Sequence, residues 1–228
     1  MIDIEFYLTS AVDGLKSCFG ERLLYVGLQG SYLRGEATEE SDIDLMVVID
    51  RLSVDDLDSY RGVIEGLGHY DQSCGFICSK EDLACWNRLE LCHLLHSTRD
   101  CWGELASLLP AFTKADTAEF VKLSLNNLYH EICHRRIHAD REKNIAKLPQ
   151  SFKGTFFILQ NLHYLESGSF CATKAELLSE LSGEDRDILA CAMQLKQGGD
   201  YDYDAAYNLL FTWCQHALHR ISLLSMTE

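Results

Sequence analysis

Two aspartates one residue apart open an apolar run, Ser41-Asp42-Ile43-Asp44-Leu45-Met46-Val47-Val48. Successive side chains of a strand alternate faces, so Asp42 and Asp44 project to the same side, about 6–7 Å apart along the chain. Two aligned carboxylates clamp a hard divalent cation. Magnesium, or manganese in its place, prefers a few carboxylates with water and phosphate oxygens, so the pair suits an ion that also holds a nucleoside triphosphate. Just upstream, Leu28-Gln29-Gly30-Ser31-Tyr32-Leu33-Arg34-Gly35 reads as a strand end, a tight turn and the start of a short helix. Ser31 and the backbone N–H groups after Gly30 sit where a helix begins, which favours a phosphate tail. Gly30 lets the chain turn sharply and keeps a side chain away from the phosphate. Metal on one side and amide donors on the other make a triphosphate site.

A second chemistry is written further along. His130-Glu131-Ile132-Cys133-His134 fits the H-E-x-x-H pattern of zinc hydrolases, and His138 continues the stripe. A spacing of four puts the histidines on one helical face, able to chelate a metal, with Glu131 in place to activate water. The third ligand such enzymes carry downstream, commonly in the extended H-x-x-G-x-x-H form, is not offered by Arg135 to Glu142. The other use of this helix is to face a cleft, with Glu131 or His134 touching an acceptor or serving as a base.

Composition narrows the classes. The chain has 228 residues with a formal charge of −15, which argues against an extended nucleic-acid footprint, since phosphate contacts need clustered Lys and Arg. The acidity is compatible with a cationic small-molecule acceptor. Ten cysteines are scattered through apolar segments without a repeated paired spacing, as expected of reduced, buried thiols in a cytoplasmic protein. No apolar run reaches membrane-spanning length, and Met1-Ile2-Asp3-Ile4-Glu5 is not a basic leader.

The elements that must position the aspartates follow from periodicity. Ile4, Leu8, Ala11, Val12, Leu15 and Phe19 predict an amphipathic helix ended by Gly20. Leu23 to Leu28 and Ile43 to Ile49 are nearly continuous in apolar residues, as in strands buried on both faces. Ser53 with Asp56 predicts a capped helix to about Leu67. Ser73 to Cys78 predicts a third strand, Ser79 the cap of the next helix, and Leu91 to Trp102 an edge strand. Beyond about residue 105 only helices are expected: Thr117 to Lys143, Ser151 to Glu166, Thr173 to Leu181, Gly183 to Lys196 and Asp202 to Leu224, with breaks that include Pro149. The expected fold is α+β, a mixed sheet with flanking helices over residues 1–104, then an all-α bundle over 105–228 with the site in the groove between them. Oligomeric state is not encoded.

Gly30-Ser31, Gly35 and Ser41-Asp42-Ile43-Asp44-Leu45 with the apolar run after them resemble the core motif of the DNA polymerase β-type nucleotidyltransferase superfamily. Its small-molecule adenylyltransferases modify aminoglycoside and lincosamide antibiotics. The resemblance implies transfer of a nucleoside monophosphate, AMP from ATP, to a hydroxyl of a small acceptor with Mg2+. Asp42 and Asp44 would hold the metal, and Gly30 and Ser31 the β and γ phosphates. One departure is plain. Active members usually carry a third Asp or Glu on the third strand, where this chain has Cys74 and Gly75, so a magnesium–nucleotide binding module without turnover is the alternative. Asp71 could supply the missing charge if that strand begins earlier or bulges. A weaker resemblance over Phe157 to Leu177 implies, by analogy with aminoglycoside adenylyltransferases, that Lys174 reaches the nucleotide phosphates.

Overall fold

The computed structural model describes residues 2–224. The chain divides into two compact units, Met1–Ala111 and Phe112–Glu228. In the first, the elements run α1 (Ile4–Phe19), β1 (Leu23–Leu28), α2 (Gly30–Leu33), β2 (Ile43–Ile49), α3 (Val54–Gly66), β3 (Ser73–Ser79), α4 (Lys80–Ala84), α5 (Arg88–His96) and β4 (Arg99–Trp102). The four strands form one mixed sheet in the order β3-β2-β1-β4, with β1 antiparallel to β2 and β4, and β2 parallel to β3.

Why β1 and β2 read as continuous apolar runs is clear from the layers. Ile43, Leu45, Val47 and Ile49 pack under α1 and α3, against Leu8, Ala11, Leu15, Phe19 and Ile64. Met46 and Val48 face the opposite way, into a cluster with Tyr25, Cys78, Leu83 and Leu105. A strand covered on both sides has no polar face to show. Strand alternation therefore puts Asp42 and Asp44 on the Met46 side, away from α1. Leu45 and Met46 are fully buried, each worth about 1.5–3 kcal/mol relative to exposure. Burial on that scale holds β2 in register and fixes Asp44 in a half-buried position that its own solvation would resist.

Turn chemistry marks the starts of the helices. Ser53 and Asp56 form a reciprocal capping box on α3, and Ser79 with Asp82 forms another on α4. The segment expected as an edge strand from Leu91 to Trp102 is different: its first part is α5, and only Arg99–Trp102 pairs with β1. Leu91, Leu94 and Leu95 have helical spacing inside what looks like a plain apolar run, and Asn87 caps the start through Leu89 N–H at 3.1 Å. The helix stops where hydroxyls take its last carbonyls, Ser97 that of His93 and Thr98 that of Leu94.

The second unit consists, among its described residues, of α6 (Lys114–His138), α7 (Arg141–Ser167), α8 (Lys174–Glu180), α9 (Gly183–Lys196) and α10 (Tyr203–Leu224). They pack around one core that includes Leu125, Ile132, Phe152, Leu159, Ile188, Leu210 and Trp213. The first two helices do not break at Pro149, as sequence predicts, but at Ala139-Asp140; Pro149 lies within α7. Two side chains account for this. Buried Asn144 donates to the carbonyls of Arg135 and Ala139, at 3.0 and 3.1 Å, and so closes the end of α6. Proline cannot donate to the carbonyl four residues back, and that carbonyl, Ile145, accepts instead from the Tyr201 hydroxyl.

Candidate functional site

β1 delivers the chain to Gln29, whose N–H donates to the Asp44 carbonyl at 2.9 Å and whose side-chain amide reaches Thr98 at 2.8 Å. Gly30 follows in the left-handed region, at φ +69°, and α2 begins there. A Cβ on Gly30 would stand 1.8 Å from Asp44 Oδ2. The backbone of the turn thus lies directly against the carboxylate of the strand, a contact that only glycine permits. α2 is a single turn, so what the turn offers a phosphate is the first N–H groups and the Ser31 hydroxyl, with little macrodipole behind them.

The approach to β2 is braced as well. Gln72 donates to the carbonyl of Glu39 at 2.7 Å, and Thr38 N–H to the Ser41 hydroxyl at 2.8 Å, fixing the loop that ends at Asp42. Asp42 is exposed and Asp44 half-buried. Burial raises the Asp44 carboxyl above the usual carboxylate range, Asp42 adds to the rise, and a hydrogen bond from Cys74 with the charge of Arg34 opposes it. A bound dication would offset that rise. The half-buried carboxylate, its acidic neighbour and the glycine cradle together fit a hard metal carrying phosphate oxygens.

The parallel ladder pairs Asp44 with Cys74 and Leu45 with Gly75 without a bulge. Cys74 therefore occupies the place level with Asp44, and its thiol, pushed up by burial and by Asp44, is a donor to that carboxylate. Gly75 cannot host an acid: at φ +114° a Cβ would meet the Leu45 carbonyl oxygen at 1.9 Å. Asp71 sits in the exposed turn Tyr70–Gln72, ahead of the first ladder pair at Ser73.

One cation escaped the sequence analysis. Arg34, in the glycine segment, has a side chain only 14% exposed and lies 3.4 Å from Glu36. Its charge acts on Asp44 and also on His93 of α5, whose imidazole burial drives down to about 4. The available signal was its place between Ser31 and Gly35, inside the motif itself.

In the second unit, Glu131 ion-pairs with Arg135 at 3.0 Å and accepts from Ser151 at 3.2 Å. Both contacts tie the Glu131 carboxylate, itself 49% exposed, to its own unit. Lys174 is the first residue of α8, within the Thr173–Glu176 capping box, and its ammonium lies over the Phe156 ring at 4.5 Å.

Residues 12–77 match the family model described as a nucleotidyltransferase domain. That span runs from α1 through β3 and takes in the glycine turn, both aspartates and Cys74. The match covers most of the first unit and less than half of the chain, and what it shows is a likeness of that stretch to a nucleotidyltransferase domain. A crystal structure of spectinomycin adenyltransferase AAD(9) from Enterococcus faecialis, with ATP and spectinomycin, is similar over 94% of this chain and 99% of that one, at 13% identity and a TM-score of 0.59. At that identity the likeness is one of fold. Two further crystal structures match more loosely. One is a toxin-antitoxin with AMP-PNP, at 20% identity over 57% of this chain and 93% of that one, with a TM-score of 0.33. The other is a nucleotidyltransferase-like protein from Exiguobacterium sibiricum 255-15, at 11% identity over 96% and 77%, with a TM-score of 0.38. No protein of curated function matches the sequence. Among the described residues no helix is long and apolar enough to cross a membrane.

Proposed function

We propose that this protein moves a nucleoside monophosphate, AMP from ATP, onto a hydroxyl of a small-molecule acceptor, with Mg2+ as cofactor. The observation that carries the proposal is the seating of Gly30 against the Asp44 carboxylate, which joins a phosphate-binding turn and a metal-binding acid in one rigid piece. Asp42 and Asp44 would hold the ion, Gly30 and Ser31 the β and γ phosphates, and Arg34 would offset the charge of the tail. Bound magnesium supplies charge neutralisation and orients the leaving group. The acceptor oxygen attacks the α-phosphorus, the bond to the bridging oxygen breaks, and pyrophosphate departs with that electron pair. The hydroxyl proton goes to water, because Cys74 is held as a thiol by burial and by Asp44. The spectinomycin enzyme binds ATP and spectinomycin, which supports ATP as donor and a compact hydroxylated acceptor. The charge of −15 favours an acceptor that is cationic. The proposal rests on the first unit alone, and Glu131 and Lys174 have no part in it.

Cys74 favours a second reading, a magnesium–nucleotide binding module with turnover lost. Calorimetry and pyrophosphate release decide between them. ATP binding that needs Mg2+ is expected in the wild type and lost in Asp42→Asn with Asp44→Asn; undiminished binding in that double variant ends both readings. Release of pyrophosphate with any of a panel of hydroxylated amines establishes transfer. Binding without release, in a protein where Cys74→Asp restores release, establishes the second reading. In an active wild type the same substitution supplies a carboxylate base and is expected to raise release about 10²-fold, at the lower end of general-base effects.

A further inference from the structure

The histidine stripe of α6 belongs to the second unit. His130, His134 and His138 are all exposed, and their rings stand in file along the helix, with centroids 5.9 Å apart for the first pair and 4.7 Å for the second. For two imidazoles on one ion, metal–nitrogen bonds of about 2.0–2.1 Å put the ring centres roughly 4.5–5 Å apart at right-angled to tetrahedral coordination. His134 and His138 meet that spacing; His130 and His134 stand wider.

We propose that His134 and His138 form a two-ligand clip for a late first-row divalent ion of the Zn2+, Ni2+ or Cu2+ class, with water in the remaining positions. Imidazole suits these ions and does not suit Mg2+, so the clip and the carboxylate pair would select different metals. The two cations beside the stripe on α6 are engaged elsewhere. Arg135 is bound to Glu131 and Ser151, and Arg136 to Asp204 and the rings of Tyr203 and Tyr207. His138 also lies in the last turn of α6, where the backbone carbonyls favour a positive charge. Glu131, already engaged, is not a further ligand. Among the described residues no trio of His, Cys, Asp or Glu is placed to hold a metal, so the site is open rather than a closed structural zinc centre. Its role would be to staple the end of α6 at the junction with α7, in a form sensitive to metal supply.

The test is titration of the full chain with zinc chloride by calorimetry, in excess Mg2+ and with Asp42→Asn and Asp44→Asn in every protein so that the carboxylate pair is removed from the account. A single zinc ion is expected to bind. His134→Gln and His138→Gln should each weaken it by about tenfold or more, the loss of one of two bonds, while His130→Gln changes it less than about threefold. Electron paramagnetic resonance of Cu2+ in place of zinc should show two coupled nitrogens. All three positions are exposed, so the variants should fold, which circular dichroism checks. Undiminished zinc binding in the His134→Gln, His138→Gln double variant overturns the proposal, as does a loss with His130→Gln equal to that of the other two.

Discussion

Gly30 shows how one missing side chain can define a site. Two penalties attach to any larger residue there: the left-handed backbone, which costs an L-residue about 1–2 kcal/mol, and the collision of a Cβ with Asp44 Oδ2 at 1.8 Å. Gly35 separates the two. It has a similar φ of +65°, but no atom of the described residues lies within 4 Å of where its Cβ would be. Gly35→Ala is therefore expected to lower the melting temperature by a few degrees, at about 2–4 °C per kcal/mol, and to leave nucleotide affinity within about threefold of the wild type. Gly30→Ala should lose at least that much stability and in addition weaken Mg2+-dependent ATP binding by more than about tenfold, because the carboxylate must move. Equal affinities for the two variants would show that the glycine–carboxylate contact has no role in binding. The closeness of Gly30 to the strand of Asp44 was legible from types and spacing, and the roles of Gly30, Asp42 and Asp44 belong to the proposal. The third position was legible only as a departure, and its physical content, a thiol donating to Asp44 in register, needed the ladder.

At the level of elements, legibility followed whether the signal was local. Capping boxes at Ser53 and Ser79, and strands covered on both faces, are written in contiguous residues, and they stand where sequence puts them. α5 is the exception, its helical spacing and caps being local but set inside a plain apolar run; the α6–α7 break depended in part on a distant partner, for Tyr201, which serves the carbonyl that Pro149 leaves open, is 56 residues from Ile145. α5 carries a consequence that a strand would not have. It buries His93 beside Arg34 and His96, and the imidazole falls from 6.5 to about 4. Because the folded value is depressed, the unfolded chain binds more protons between those limits, so stability is complete above about pH 6.5 and drains away as the pH falls toward 4. At 1.36 kcal/mol per unit the loss is about 3 kcal/mol as an upper bound. Urea unfolding at pH 7.5 and pH 4.5 should show it, with His93→Leu reducing the difference between the two pH values. A variant whose pH dependence matches the wild type would mean that His93 is protonated without penalty.

For the molecule as a whole, the buried apolar residues sort cleanly by unit. Among the described residues, the clusters that include β1, β2 and α1 extend no further than Leu109, and the cluster of the helical unit begins at Ala118. The acid Asp185 of the helical unit, nearly buried, is also satisfied from within, accepting from Trp213 Nε1 and from Arg220, each at 2.6 Å. A chain segment of that length can bury enough surface for a stable core of its own. Residues 112–228 expressed alone are therefore expected to give a helical protein that melts cooperatively, and Asp185→Ala, which leaves the buried indole N–H of Trp213 without its acceptor while Arg220 keeps Glu166, should destabilise it by about 1–3 kcal/mol. A fragment that is helical yet melts without a transition would mean that burial in this unit depends on residues before Phe112, and that its sorted clusters do not amount to an independent fold.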